Sequence, residues 1–553
     1  MKKYYPILII SLITILDCTA QNYYDLEVNN IKARINNNIN LFNKNSVQDG
    51  GFESILNGHA STIYSSSLWI GAELPDGGLA VAAERSYNPV EKDFFFGPVA
   101  DSYIIPEFQN YNRVFPISKY DINQHIAWYN CLQDPICDVN TSFPGYSIPQ
   151  DIIDWPAHGN VSNGESFYLA PFEDVDGDGI YSPENGDYPK MKGDEAVFYI
   201  LNDMKIHNVS GGASLGVEVH VMAYSYNTNI ESVNNTVFIN YKIYNRSKVA
   251  DFSTVKIGVY TDFDIVCSSN DFLGCDTNRN IYYGYNSISD DSLATNFGQN
   301  ICSAETFGAP AQGVKFLNET IDRFSYYGTS GGGTSAPTTP PYYWPTQFYN
   351  YLSSGWKDGS SLYYGGDGYY GNAGVTNIQS NYAFPSNPSD INGWTQTEDG
   401  DVKGIGIIEK QNFNGGDVIC FDLAYIFNLD KTVSNLENVN QLLIASDEVQ
   451  NFYENNQLGC DYLFTSVGEE KNRTIKPLAF PNPFSDKATI SFNREVVKGK
   501  LDLFNSLGQK VNSFELKNKK ELVVSRENLK EGVYFYQMSD RTGVFFTGKL
   551  IVK

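Results

Sequence analysis

Val217-Glu218-Val219-His220-Val221, Val237-Phe238-Ile239-Asn240-Tyr241-Lys242-Ile243 and Val255-Lys256-Ile257-Gly258-Val259 are three closely spaced runs with an apolar side chain at every second position. A period of two is the signature of a β-strand, because successive side chains leave opposite faces of the pleat. The turn-forming stretches Asn234-Asn235 and Asn245-Arg246-Ser247 separate the runs, so they are expected to lie in one antiparallel sheet with a polar outer face. On that reading His220 is an ordinary surface residue. The composition agrees. Of 553 residues, 39 are tyrosine, 34 phenylalanine and 47 glycine, a mix that suits pleats and turns better than helices. The fold class expected is all-β: multi-domain antiparallel β-sandwiches with few helices.

Two helices interrupt this pattern. Ser434 and Glu437 have the spacing of a capping box, and Leu436, Val439, Leu443, Val449 and Phe452 follow as an apolar stripe. A shorter helix is expected from Asp121 through Ile122, His125 and Ile126. Between Ser325 and Gly400 the texture changes to glycine, proline and aromatics. This segment, near 325–400, reads as a large insertion held down by aromatic packing. Trp344, Trp356, Tyr363, Tyr364, Tyr369 and Tyr370 are its candidate ligand contacts, since aromatic faces give large contact area at low entropy cost.

The net charge is −25, from 39 basic and 64 acidic residues. Such a surface repels nucleic acid and anionic lipid, so neither is an expected partner. The ends of the chain differ from its middle. Lys2, Lys3 and the apolar run Ile7–Leu16 precede Cys18-Thr19-Ala20, which reads as a signal peptide over residues 1–20. The run is too short for a membrane span, and Asp17 argues against lipidation of Cys18. From Thr474 to Lys553 there are 14 Lys+Arg and 8 Asp+Glu, leaving 25 and 56 in the rest of the chain. That change of sign separates a β-rich extracellular body, 21–467, from a module at 474–553, with a polar linker at 468–473. Short alternating segments such as Ala488–Phe492 and Lys500–Phe504 predict a small β-sandwich there.

The module carries Pro481-Asn482-Pro483, then Leu503 through Val511 with Gly508-Gln509 at its centre, then Gly532-Val533-Tyr534, and finally Lys549-Leu550-Ile551-Val552-Lys553. In that order these motifs resemble the C-terminal type A sorting domain of type IX secretion substrates from Bacteroidetes. The resemblance implies export across both membranes, with the type IX machinery and its surface peptidase as partners and a secreted or outer-surface location. Scattered body elements, among them Leu68-Trp69-Ile70-Gly71-Ala72 and Trp356-Lys357-Asp358-Gly359, resemble large secreted Bacteroidetes proteins without assigned activity.

An exported chain meets an oxidising setting, so the cysteines are expected to pair as Cys131/Cys137, Cys267/Cys275 and Cys420/Cys460, leaving Cys302 free. The strongest site signal is Asp174-Val175-Asp176-Gly177-Asp178-Gly179. Carboxylates at positions 1, 3 and 5 with glycine at 6 form a calcium loop, to which Ile180 offers a carbonyl and Glu184 and Asp187 complete the shell. Position 12 is Asn185, and Pro183 and Pro189 break any exiting helix, so the loop is no EF-hand. A second, weaker metal group is Asp262, Asp264, Asp271 and Asp276. Gly212-Ala213-Ser214-Leu215-Gly216 has the letters of a nucleophile elbow in a reversed context, with a strand following it. No catalytic residue is assigned. The function expected is adhesion or binding of a polysaccharide or surface glycan by a calcium-stabilised surface protein. The alternative is a polysaccharide-active hydrolase whose carboxylate pair is spatial and invisible in sequence.

Overall fold

A computed structural model describes residues 22–44, 50–85, 91–104, 106–247, 251–289, 308–328, 338–456, 458–460, 478–480, 482, 484–505, 509–526, 529–540 and 543–553. The expected signal peptide, the linker, Cys302, Pro481, Pro483 and Gly508 lie outside them.

The body is built on two antiparallel sheets packed face to face. In one, strands run Tyr23–Leu26, Ile31–Asn36, Phe52–Ser54, Ala60–Glu73, Phe252–Phe263, Val402–Phe413 and Arg323–Gly328 in spatial order, with Leu79–Ala83 beside Ala60–Glu73. In the other the order is Asp271–Asp276, Ile281–Asn286, Ala311–Phe316, Val418–Asn428, Thr236–Asn245, Val217–Ser225, Glu195–Asn202 and Phe95–Phe96, with Phe115–Ser118 beside Glu195–Asn202. The shared core takes one side of each pleat: Leu68, Ile70, Val255 and Ile257 from the first sheet, and Val219, Val221, Ile239, Tyr241 and Tyr425 from the second. Polar pins cross it at Ser66 Oγ to Tyr425 OH, 2.8 Å, and Thr62 Oγ1 donating to Gln312 Oε1, 2.7 Å.

The three alternating runs are all strands, but they do not share a sheet. Val217–Ser225 pairs with Thr236–Asn245, whereas Phe252–Phe263 belongs to the opposite sheet, between Ala60–Glu73 and Val402–Phe413. In the second sheet the polar faces are not wet either. Every residue of Val217–Ser225 and Thr236–Asn245 is buried, because the outer face of this sheet carries its own apolar layer. Helix Asn435–Asn455 lays Val439, Leu442, Leu443 and Val449 on it, and Lys119–Gln133 contributes Ile122. Both expected helices form; Ser434 Oγ accepts from Glu437 N at 3.2 Å, and Ser118 Oγ caps the other through Asp121 N.

His220 is accordingly buried, correcting its reading as a surface residue. Its Nε2 lies 2.9 Å from Glu218 Oε1, which also accepts from Arg246, while Glu218 Oε2 accepts from Val99 N. Burial alone would raise the Glu218 carboxyl, but His220 and Arg246 outweigh it and hold it down at about 2. Deeper still, Lys192 donates to Asp422 at 2.7 Å with both side chains fully buried. Asp422 also accepts from Asn240 at 3.1 Å and from Tyr453 of the long helix at 2.8 Å.

The outer face of the other sheet is covered by the insertion. Trp69 stacks on Tyr260 at 5.3 Å, and Phe348 meets Trp69 edge-on. Leu352 lies directly over Gly71 and Gly258, where a Cβ would come within 3 Å of it, so these two glycines make the seat for the insertion's helix Pro345–Tyr351. The C-terminal segment forms a separate antiparallel sheet of Leu478–Phe480, Lys487–Asn505, Lys510–Ser525, Gly532–Asp540 and Gly543–Val552 around its own core of Ile490, Leu501, Leu503, Tyr534, Tyr536 and Leu550.

Disulfides join Cys131 to Cys137, as their spacing led us to expect, and Cys420 to Cys460, the third expected pair. Cys267/Cys275 is a correction. Cys267 is disulfide-bonded elsewhere, and Cys275 is a buried free thiol facing the interior from its strand. Proximity in sequence misled here because Cys275 belongs to a regular strand, Asp271–Asp276, with its side chain committed to the core.

Removing one partner of a buried ion pair strands the other charge, so Asp422→Ala should cost about 3–5 kcal/mol in urea denaturation. Adding Lys192→Met should recover part of that loss; a double variant as unstable as the single one would show that the charge on Lys192 is not what the aspartate serves.

Candidate functional site

The Asp174–Asp187 segment folds as an open acidic loop. Asp174 accepts from Gly177 N at 2.8 Å and Gly179 N at 2.9 Å, and Asp178 accepts from Ile180 N at 2.7 Å. Gly177 and Gly179 both have φ near +80°, which lets the chain double back around the carboxylates. Oxygens of Asp174, Asp176 and Asp178 all lie within 4.8 Å of one another, a set able to hold a metal ion. Asn185 donates to Asp176 at 3.0 Å. Asp187 is buried, and its two oxygens accept from Val175 N and Ser182 N, each at 2.8 Å, so it braces the loop from beneath. Burial raises its carboxyl above the usual range despite those bonds. Glu184 and the Ile180 side chain stand exposed at the rim. His158 supports the far side: its Nε2 accepts from Tyr181 N at 2.8 Å and its Nδ1 meets Phe167 O at 3.2 Å, an arrangement suited to the neutral ring, and burial lowers its pKa accordingly.

The second acidic group is assembled differently from its sequence reading. Asp262 and Asp264 come together with Asp401, not with Asp271 and Asp276. Lys403, opposite Asp262 in the strand pairing, lies 3.0 Å from Asp262 and also binds Asp401, so a lysine already supplies positive charge to this cluster. Burial, reinforced by the Asp262 charge, pushes the Asp264 carboxyl up to about 8. Asp271 instead accepts from Ile265 N at 3.0 Å, and Asp276 pairs with Arg279 at 2.8 Å. Both are spent on loop structure.

Half of the insertion's aromatic candidates are packing residues. Trp356 is 2% exposed, meets Tyr326 edge-on at 5.4 Å and donates to Gly368 O; it belongs to the core and cannot reach a ligand. Tyr364 leans on Trp394 and Tyr363 on Tyr370, each pair at 5.0 Å, with Tyr370 outermost. Trp344 is 64% exposed beside Tyr342 and Tyr343, and Tyr343 sits at φ +58°, a strained setting for a bulky residue.

Sequence reasoning missed a cleft. A cavity of about 590 Å³ opens between the insertion and the Arg323–Gly328 and Val402–Phe413 strands, lined by Tyr326, Tyr369 and Phe384 with Asp367, Asn372, Gln396, Glu398 and Asp399. Asp367 is oriented by Tyr369 N at 3.0 Å and Asn372 Nδ2 at 2.7 Å; Asp399 accepts from Ser287 Oγ at 2.6 Å. Gln396 is locked by Leu273 N and Glu398 O. Glu398 and Asp399 are exposed at the mouth. The sole sequence signal was the aromatic density around Tyr369. The letters of Gly212–Gly216, by contrast, form no nucleophile: Ser214 Oγ donates to Asp203, whose oxygens also hold Leu215 N and Val217 N, and a strand follows.

In the C-terminal sheet, motifs far apart in sequence meet. Asn482 donates to Lys549 O and accepts from Ile551 N, both at 2.8 Å, tying the start of the segment to its last strand. Gln509 N donates to Asn505 Oδ1 at 3.0 Å, and Tyr534 OH donates to Lys530 O close beyond Gly532.

The contrast between the two exposures gives a stability test. Trp356→Ala should cost about 3–5 kcal/mol, whereas Trp344→Ala should stay within about 0.5 kcal/mol of the parent, both read by urea denaturation.

Residues 478–553 match the family described as the secretion system C-terminal sorting domain. No curated protein matches the chain. Among solved structures, a polysaccharide lyase is similar at 8% identity and a TM-score of 0.17, over 66% of this chain and 37% of that one. The chain thus spans little more than a third of that protein, and so remote a likeness says nothing of activity. Among the described residues no helix is long and apolar enough to cross a membrane. The C-terminal sheet is therefore a sorting tail, and the chain that carries it is a type IX secretion substrate, exported to the cell surface or released from it.

Proposed function

We propose that the body is a calcium-stabilised glycan-binding protein, displayed or released by type IX export, whose ligand enters the cleft between the insertion and the sheet edge. The observation that carries this reading is the lining of that cleft. Tyr369 brings a partly exposed ring to a cavity backed by the buried rings of Tyr326 and Phe384, whose other walls carry carboxylate, amide and hydroxyl groups beside Ala373, Val402 and two glycines. A sugar has the same division, with C–H faces for stacking and hydroxyls at the rim, and a largely preformed pocket of a few hundred Å³ takes two or three rings. The cleft stands on two paired strands and not on a free loop, which favours preorganised binding. The sorting machinery and its surface peptidase act on the tail, leaving the cleft to face the outside.

Calcium belongs to the same reading. Three carboxylates gathered this closely repel one another unless a cation sits among them. Hard oxygen donors in an irregular loop suit calcium better than magnesium, which demands near-octahedral geometry. Asp174, Asp176 and Asp178 would supply side-chain oxygens and Ile180 its carbonyl, with Glu184 at the rim and Asp187 as brace. The role is structural: the loop lies against His158 and the Phe172–Glu173 strand, with no helix pair to open.

A second reading, a polysaccharide-active hydrolase, draws on the three carboxylates Asp367, Glu398 and Asp399 in that one cleft. Incubating purified protein with a polysaccharide panel separates the two. Product release abolished by substituting one of these acids would replace binding with catalysis.

Two outcomes are expected. Chelation with EDTA should lower the melting temperature, and Asp176→Ala should remove that sensitivity; a melt that EDTA leaves unchanged refutes the metal. On a glycan array the protein should retain at least one oligosaccharide, and Tyr369→Ala should weaken that binding about tenfold or more, with the melting temperature as control for folding.

A further inference from the structure

We infer that the cleft selects uncharged glycans and rejects uronate or sulfated chains; this rests on the cleft being the glycan site. The argument is electrostatic. Its described lining holds three acidic residues, Asp367, Glu398 and Asp399, and no lysine, arginine or histidine. The nearest cation along the chain, Lys403, is committed to Asp262 on the neighbouring strand and to Asp401, two residues before it. A binder of anionic polymers needs the opposite arrangement, with arginine or lysine forks facing each carboxylate or sulfate.

The wider field acts in the same direction. Before Thr474 the chain carries 25 basic against 56 acidic residues, so the body approaches any polyanion with like charge. Three carboxylates around one concave site add their fields, and a like-charged ligand meets that repulsion on both approach and binding. Uncharged sugars turn the same groups to advantage. A carboxylate accepts from two adjacent hydroxyls at once, and charge-assisted bonds of this kind are stronger than neutral ones. Glu398, exposed at the mouth, and Asp399, whose Oδ2 accepts from Ser287, are placed for that role. Asp367 is held by Tyr369 N and Asn372 and positions the Tyr369 ring beside it.

The test is titration calorimetry of the full chain with neutral hexasaccharides of glucose, mannose, galactose and xylose, against hexagalacturonate and a sulfated galactan hexamer. At low salt at least one neutral oligomer should bind about tenfold or more tighter than either anionic one, and raising the salt should narrow that gap by screening. Glu398→Gln with Asp399→Asn should narrow it too, to about threefold or less, without lowering the melting temperature. Equal or tighter binding of an anionic oligomer, abolished by Tyr369→Ala, overturns the selectivity and leaves the cleft as the glycan site. Failure of every oligomer to bind, or binding indifferent to Tyr369→Ala, overturns both.

Discussion

Asp422 is the point on which the body's architecture turns. It lies at the middle of the strand Val418–Asn428, on the face away from the sheet–sheet core, and it receives Lys192, Asn240 and Tyr453 from three separate elements. Two residues earlier on that face, Cys420 binds Cys460 just past the long helix. A charge pair so deep is costly to desolvate, and burial lowers the lysine's pKa while the aspartate's charge works against it. Such a pair holds together only when all its donors arrive. A slip of one residue in this strand would turn Asp422 into the packed aliphatic layer between the sheets and leave Lys192 facing nothing. The network thus fixes the register of the central strands and the position of the helix over them.

That arrangement explains where alternation was a sound guide and where it misled. Val217, Val219 and Val221 do face a core, and so do Ile257 and Val259. What the pattern could not reveal was that the polar positions between them are buried as well. Glu218, His220 and Lys242 read as a wetted face because their side chains are polar, yet each lies under the second layer. A period of two reports that two faces differ; it does not report what covers either one. The assignment of Phe252–Phe263 to the opposite sheet was hidden for a related reason, since a short connector crosses between layers as readily as it turns back within one.

The sorting tail was the most legible part of the chain because its motifs are short and structurally coupled. Asn482 can bind Lys549 O and Ile551 N only if the segment's first and last portions lie side by side, so motifs at both ends answer one geometric requirement. The acidic loop was legible for the same reason: its carboxylates lie within a few residues of each other and of the glycines that bend it. The cleft had no such locality. Tyr326 and Val402 come from strands flanking the insertion, Asp367 and Tyr369 from its middle, and Gln396 through Asp399 from its far end. Aromatic density pointed to the segment, but half of those rings, Trp356 above all, serve to hold it down.

The insertion's position makes it the part of the body best able to carry specificity. Arg323–Gly328 and Val402–Phe413 pair directly, with Gly328 opposite Val402 at the hairpin's open end, so everything between them is a single excursion from a closed ladder. Its base is set by that pairing, and its underside by Leu352 over Gly71 and Gly258 and by Phe348 against Trp69. Those contacts fix the insertion to a sheet whose other face is already locked through the core. Side chains on its outward loops can then change without disturbing strand register, because no backbone bond of the two sheets depends on Asp367, Asn372 or Glu398. Tyr326 and Phe384 belong to both core and cleft wall, whereas the exposed Glu398 and Asp399 lie outside the core, on the kind of surface loop that tolerates change when its base is rigid.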